Sequence, residues 1–231
     1  SNERHELFFD VYRMNVRNGR KKRIETNSGR IQNWITDWNG VVRIATETDK
    51  LKERVLYRAS PKAEWEQLAE FDFGNESWSP LGFDFDNRTL YIASNEGRDK
   101  YAIYTYDIET RTRGELVYAH EQVDVTGLIP DLRKRRITGV AYETDKPHVH
   151  WLDEEEARLQ KLVDEALPDT ENVISRPYQS ADVALVTSYS DREPGIYYLL
   201  DIKARSMSEL LRTREWIDPA EMAECQPVTF T

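Results

Sequence analysis

The stretch Ile103–Leu116, reading Ile-Tyr-Thr-Tyr-Asp-Ile-Glu-Thr-Arg-Thr-Arg-Gly-Glu-Leu, returns along the chain, and a repeat restricts the choice of fold more than any single motif can. Val11–Gly19 superposes on it, with Tyr12 lying 92 residues before Tyr104, and Tyr197–Lys203 superposes with Asp201 lying 94 residues after Asp107. Halving these offsets gives a period of about 47 residues, inside the range of roughly 40–50 that propeller blades occupy. Val149-His150-Trp151-Leu152-Asp153 fills the gap between the second and third copies, and Val55–Ala59 fills the earlier one less well. Each copy alternates apolar and polar residues, meets a polar turn and resumes, the pattern of two antiparallel strands with a tight connection.

The repeat predicts an all-β chain, a β-propeller of four-stranded antiparallel blades with about four and a half blades present and one helix inserted near residues 154–167. The blades fall at 7–24 (the outer half only), 31–73, 78–118, 123–167 and 173–212, so residues 1–212 are one partial propeller domain. Residues 213–231 are expected to form a linker into another domain. Phe83-Asp84-Phe85-Asp86-Asn87-Arg88-Thr89-Leu90 supplies the first turn of the third blade, with Asn87 suited to a left-handed backbone. After Leu152 the period changes. Asp153 and Glu156 are spaced as a capping box, and Leu159, Leu162, Val163, Ala166 and Leu167 form an apolar helical stripe that Pro168 ends.

Charge narrows the partners. With 32 basic and 42 acidic residues the formal net charge is −10, a field that repels phosphate and anionic lipid, so neither nucleic acid nor a membrane is expected as partner. The basic runs Arg20–Arg23 and Arg133–Arg136 read as solvated turns beside strands, or else as docking patches for an acidic partner. Cys225 is the single cysteine, which precludes an intrachain disulfide. No signal peptide or apolar run of membrane-spanning length is visible, and cytoplasm and periplasm both remain open as compartments. Because the chain opens mid-pattern at Leu7-Phe8-Phe9-Asp10-Val11, its natural N-terminus is expected further upstream.

The chain carries no Gly-x-Ser-x-Gly, Gly-x-Gly-x-x-Gly, phosphate-binding loop, His-Glu-x-x-His or Cys-x-x-Cys, so no catalytic residue, metal or cofactor is expected within it. His148 and His150 alternate on a strand as a two-ligand start for a metal, but no third ligand is nominated. Tyr12, Tyr104 and Tyr198 recur at equivalent positions and are expected to pack between blades. The turns between second and third strands are richer. Glu47 and Asp49 recur as Glu143 and Asp145, the intervening blade places Glu96, Arg98 and Asp99 there, and the last places Asp191 and Arg192. Equivalent turns of a propeller emerge on one face, so these residues are candidates for docking a neighbouring domain or guiding a charged substrate end, against the alternative of turn chemistry and solubility alone.

Several segments resemble bacterial members of the prolyl oligopeptidase family of serine peptidases, in particular the acylaminoacyl-peptidase-like branch. They are Phe71-Asp72-Phe73, Pro80–Phe83, Arg88–Asp99, Ser190–Asp201, Trp216–Ala220 and Gln226–Thr231, and the resemblance covers essentially the whole chain. It implies an N-terminal propeller ahead of an α/β-hydrolase domain with a Ser-Asp-His triad, with Pro227–Thr231 similar to the strand that enters that domain. No triad residue maps onto this sequence, so the chain alone is expected to be inert. The implied role is a size filter and lid, with short peptides as substrates and the hydrolase domain of the same polypeptide as partner. A self-standing propeller that scaffolds partners or holds a ligand is the other reading. Four and a half blades leave unpaired edges, so a fragment is expected either to close into a small ring or to pair edges in a homodimer.

Overall fold

A computed structural model describes residues 1–228, and these form five antiparallel meander sheets in which strand order follows sequence order. Strands β1 (Val11–Met14) and β2 (Lys21–Glu25) pair alone. The next sheet is β3 (Ile31–Thr36), β4 (Val42–Asp49), β5 (Lys52–Tyr57) and β6 (Glu66–Asp72), followed by β7 (Trp78–Phe83), β8 (Thr89–Ser94), β9 (Ala102–Asp107) and β10 (Thr112–Tyr118). A three-stranded sheet, β11 (Val125–Asp131), β12 (Arg136–Glu143) and β13 (Pro147–Trp151), is followed by helix α1 (Glu154–Ala166) in place of a fourth strand. The last sheet is β14 (Glu171–Ser175), β15 (Val183–Tyr189), β16 (Ile196–Asp201) and β17 (Ser206–Arg212). No helix among the described residues is long and apolar enough to cross a membrane.

The chain divides into two compact units, Ser1–Gly127 and Leu128–Thr231. In the first, the second strand of each complete sheet is the most buried. Ile44 on β4 and Leu90 and Ile92 on β8 have no solvent exposure, and they pack with Val55, Trp78, Phe83, Tyr106 and Ile108. Because both faces of β4 and β8 are covered, neighbouring as well as alternate residues are buried there, whereas the outermost strands β6 and β10 stay largely exposed. Each fully buried side chain of this kind contributes roughly 1.5–3 kcal/mol, so this cluster is the main stabilising feature of the unit.

Two turns join its complete sheets. The Trp38 amide donates to Asn87 Oδ1 at 2.7 Å, its indole N–H to the Phe83 carbonyl at 2.8 Å, and its ring stacks on Phe85 with centroids 3.9 Å apart. Arg43 adds a 2.7 Å bond to the Asn87 carbonyl. Asn87 has φ 58°, the left-handed backbone that its sequence context predicts. Arg111, Arg135 and Arg205 adopt the same conformation at φ 57°, 52° and 53°, each four residues after an aspartate (Asp107, Asp131, Asp201) whose carboxylate accepts backbone N–H groups of the turn.

At the other end of the unit, Arg4 grips Asp10 through Nε and Nη2 at 2.7 and 3.0 Å, while Asp10 also accepts the Asn27 amide at 2.8 Å. The Arg4 guanidinium, and then the Asn27 amide, hold the Asp10 carboxyl down to about 2. Arg58, buried beside Trp65 with its guanidinium 4.5 Å from the ring centroid, donates to the Val42 carbonyl and pairs with Glu25.

In the second unit, Leu159 and Val163 of α1 pack on Ala184, Val186 and Leu200 of the last sheet. Leu162, expected in the apolar stripe, is 52% exposed, since only a narrow face of the helix meets the sheet. The expected capping box is half formed. Asp153 accepts from the amides of Glu155 and Glu156, but its own amide donates to the Thr138 carbonyl, and the Glu156 side chain turns to basic residues instead. The basic run at 20–23 is not a turn, because Lys21–Arg23 lie within β2, where Lys21 pairs with Glu3.

Asn87→Gly is expected to lower stability by about 1 kcal/mol through loss of the Trp38 bond, and Asn87→Ala by about 1 kcal/mol more because alanine is strained at positive φ. Urea unfolding of the two variants measures the difference; equal losses contradict the backbone argument.

Candidate functional site

The charged turns emerge where the repeat predicts, but they do different work. Glu47 faces Arg54 across the β4–β5 ladder and pairs with it at 2.9 Å, and Asp49 lies 3.2 Å from Arg30 and 3.8 Å from Arg54. Arg54 also meets Glu70 at 2.6 Å, so Glu47 and Asp49 belong to an ion-pair ladder across their own sheet. Glu96 accepts from Arg113 at 3.3 Å, Asp99 is exposed beside Lys100 at 3.2 Å, and Arg98 donates its amide to the Asn95 carbonyl at 3.0 Å. Glu143 is exposed at the end of β12, and Asp145 accepts the Thr144 hydroxyl at 2.8 Å. Within either unit, no hydrogen bond or ion pair among the described residues joins one of these turns to the next, although Asp191 adds to the Glu171 contact that raises the Lys146 pKa.

The turn of the last sheet holds the chain that leaves it. Asp191 accepts the Cys225 amide, Arg192 Nε donates to the Pro219 carbonyl at 3.2 Å, and the Gly195 carbonyl accepts from both the amide and the hydroxyl of Thr213 at 2.9 and 3.1 Å. Gly195 has φ 139°, and a Cβ there would stand 3.3 Å from the Thr213 side chain, so glycine is required on both counts. A short 3-10 turn at Pro219–Glu221, capped by the Asp218 carboxylate, completes the segment. Trp216, Met222 and Val228 leave it exposed at 80%, 38% and 71%. Asp191 and Arg192 thus contact the chain's own tail. The entering strand expected at Pro227–Thr231 lies partly outside the described residues.

A second constellation, in the same unit, joins residues that the sequence reading kept apart. The run Arg133–Arg136 lies on the β11–β12 turn and faces the acidic start of α1. Lys134 Nζ sits 3.0 Å from Asp153, 2.8 Å from Glu155 and 2.9 Å from Glu156, and Arg136 pairs with Asp153. Arg176 Nη2 lies 3.2 Å from Glu156 on the other side. The acidic partner of this basic run is thus internal. Burial alone would raise the Asp153 carboxyl, but bonds from Lys134, the α1 amides and Arg136 hold it far below the usual carboxylate range. Burial opposes the charge on Lys134 as well, and the carboxylates of Glu155, Glu156 and Asp153 overcome that and raise its pKa. The three carboxylates are close enough to hold a metal ion, yet the lysine ammonium already fills their centre. His148 is not directed to a metal either: its Nε2 lies 2.8 Å from the Thr144 hydroxyl and its ring stacks on Tyr142. The legible signal for this network was charge complementarity, a basic run at 133–136 and an acidic run at 153–156 flanking two strands.

No family model matches the sequence. Over 231 residues, 98% of this chain, it is 25% identical to dipeptidyl aminopeptidase BIII of Pseudoxanthomonas mexicana, and it spans 33% of that protein's length. Among solved structures it resembles a puromycin hydrolase at 15% identity with a TM-score of 0.56, matching 91% of this chain and 33% of that one. It also resembles a puromycin-hydrolyzing peptidase from Mycobacterium tuberculosis at 11% identity with a TM-score of 0.52, matching 86% and 31%. The four-stranded antiparallel sheets and these likenesses agree on a β-propeller fold, as the repeat predicted.

Lys134→Met is expected to destabilise the chain by on the order of 3 kcal/mol, because it leaves three carboxylates crowded without their cation. Asp153 contributes stability that is complete above the 3.8 of an unperturbed aspartate and is lost as pH falls below it, since its folded pKa is depressed. Urea midpoints measured from pH 5 to pH 2.5 should fall less steeply in Asp153→Asn than in the unaltered chain; parallel curves contradict the assignment.

Proposed function

We propose that this β-propeller chain is a segment of a prolyl oligopeptidase-family protein and the non-catalytic part of a serine peptidase. In this reading it serves as size filter and lid, and as docking surface for an α/β-hydrolase domain of the same polypeptide, during hydrolysis of short peptides. The observation that carries the proposal is the similarity of 98% of this chain to one third of a dipeptidyl aminopeptidase. Acyl transfer by a serine nucleophile would be supplied by the hydrolase domain, since no residue of this chain matches a triad motif.

The structure of the tail supports the docking part. The Ser190–Gly195 turn holds the leaving chain at Thr213, Pro219 and Cys225, which fixes the direction in which it departs, while Trp216 and Val228 remain uncovered and offer apolar surface to a following domain. Among the candidate turn residues, Asp191 and Arg192 are proposed as the docking pair. Glu96, Arg98, Asp99, Glu143 and Asp145 are proposed as secondary contacts, and Glu47 and Asp49 act mainly through their own sheet. The filter role rests on the proposal that the hydrolase site is enclosed, so that a short peptide reaches it and a folded protein does not.

In a polypeptide extended to include the hydrolase domain, the double variant Asp191→Lys/Arg192→Glu is expected to lower kcat/KM for a dipeptidyl chromogenic substrate by about tenfold, the equivalent of about 1.4 kcal/mol of domain positioning. Both side chains are exposed, so the unfolding midpoint of the chain itself should stay nearly unchanged. An unaltered kcat/KM with a loosened, protease-sensitive tail would contradict the docking role.

A further inference from the structure

The second unit contains a cavity of about 210 Å³ between the β11–β12 turn, the first turn of α1 and the segment after β14. Its walls combine aromatic and aliphatic side chains, including Ile129, Pro130, Trp151 and Tyr178, with the guanidinium groups of Arg133 and Arg176. It lies beyond the opposite end of β15 from the Ser190–Gly195 turn, and is therefore distinct from the surface that holds the tail.

The arginines are unusual in what they lack. Arg176 has a side chain only 11% exposed, yet its guanidinium makes no hydrogen bond: Nε and Nη2 are shielded without an acceptor, and Nη2 lies 3.2 Å from Glu156 Oε2 but off the hydrogen-bonding direction. Arg133 donates from Nη2 to Asp131 at 3.2 Å, while its Nε is shielded and unpaired. Among the described residues, five shielded side-chain atoms have no hydrogen-bond partner, and four of them belong to Arg133, Arg176 and Glu156 around this one cavity. Shielded polar groups are nearly always satisfied, so the three unpaired arginine donors among these atoms point to an acceptor that enters the cavity. The unpaired groups of the two arginines are all donors. Glu156 cannot serve both, because it already faces Lys134 at 2.9 Å.

We propose that this cavity binds the carboxylate of a small apolar ligand, of the kind presented by the C-terminus of a short peptide or an N-acylated amino acid. A planar carboxylate is the natural partner of a guanidinium fork, and Arg176, held by no hydrogen bond, can swing to meet it at the cost of two poorly directed ion-pair contacts, Nη2 to Glu156 at 3.2 Å and Nη1 to Glu155 at 3.8 Å. The ring of Trp151 and the neighbouring proline and isoleucine side chains receive the apolar body, and the volume suits one residue rather than a folded chain. A phosphate would need more cationic charge than the site offers, because Asp131 and Glu156 already share the two arginines. The proposal stands on the cavity alone and does not depend on the peptidase assignment.

Titration calorimetry of the intact chain with N-acetyl-leucine tests it. Binding with a dissociation constant of about 1 mM is expected for a ligand of this size. N-acetyl-leucinamide, which lacks the carboxylate, and Arg176→Gln with the acid should each weaken binding about tenfold or more. Equal binding of acid and amide, undiminished binding to Arg176→Gln, or no binding of the acid at 20-fold above the expected constant would overturn the proposal. Acetate binding as tightly as N-acetyl-leucine would overturn its apolar half. Should Arg176→Gln fail to fold, the comparison of acid with amide on the unaltered chain still decides.

Discussion

A four-stranded antiparallel sheet has two faces, and neither can remain in water if it carries Ile44, Leu90 and Ile92. The rest of the structure depends on this requirement that each sheet be covered by its neighbours. It explains why β4 and β8 are buried on both faces while β6 and β10 are largely exposed. It also explains where specificity enters. The turns at Trp38 and Asn87 dock through two hydrogen bonds and a ring stack, fixing how one sheet meets the next where apolar packing alone would tolerate a slide.

The three-stranded sheet meets the same requirement differently. Helix α1 stands in for its fourth strand and covers part of the last sheet with Leu159 and Val163, a narrow stripe for thirteen residues. What that stripe does not supply, charge does. Asp153 caps the helix and at the same time joins Lys134 and Arg136, so the N-terminus of α1 is fastened to the β11–β12 turn. A network of this kind stabilises less by its attraction than by the penalty of breaking it, and it defines where the helix must begin. The cavity beside it is a consequence, since a helix packed on one sheet and tied to the turn of another leaves room between them.

The all-β, antiparallel character was legible because alternation and turn residues report strand pairs directly. The left-handed Asn87 was legible as well, because asparagine tolerates that backbone. The left-handed arginines were not, since nothing in an arginine side chain announces positive φ; only the aspartate four residues earlier does. The capping box was read from spacing, but spacing cannot say which of two partners Glu156 will choose, and Lys134 and Arg176 outcompete the Asp153 amide. The contacts of Asp191 and Arg192 with the tail were not legible, because the groups they meet, the backbone at Cys225 and Pro219, have no side-chain signature. The cavity was invisible to sequence reasoning because its defining property is a geometric one, donors brought together with no acceptor among them.

The central proposal is that this chain acts as the accessory propeller of a serine peptidase, the nucleophile being supplied by an α/β-hydrolase domain. The most direct measurement is covalent labelling by a fluorophosphonate probe, comparing the chain of residues 1–231 with a longer polypeptide in which it is joined to an α/β-hydrolase domain. The account predicts no labelling and no hydrolysis of dipeptidyl chromogenic substrates by the chain alone, and serine labelling with turnover in the longer polypeptide. Labelling of the chain itself, or a longer polypeptide that neither labels nor turns over substrate, would contradict it.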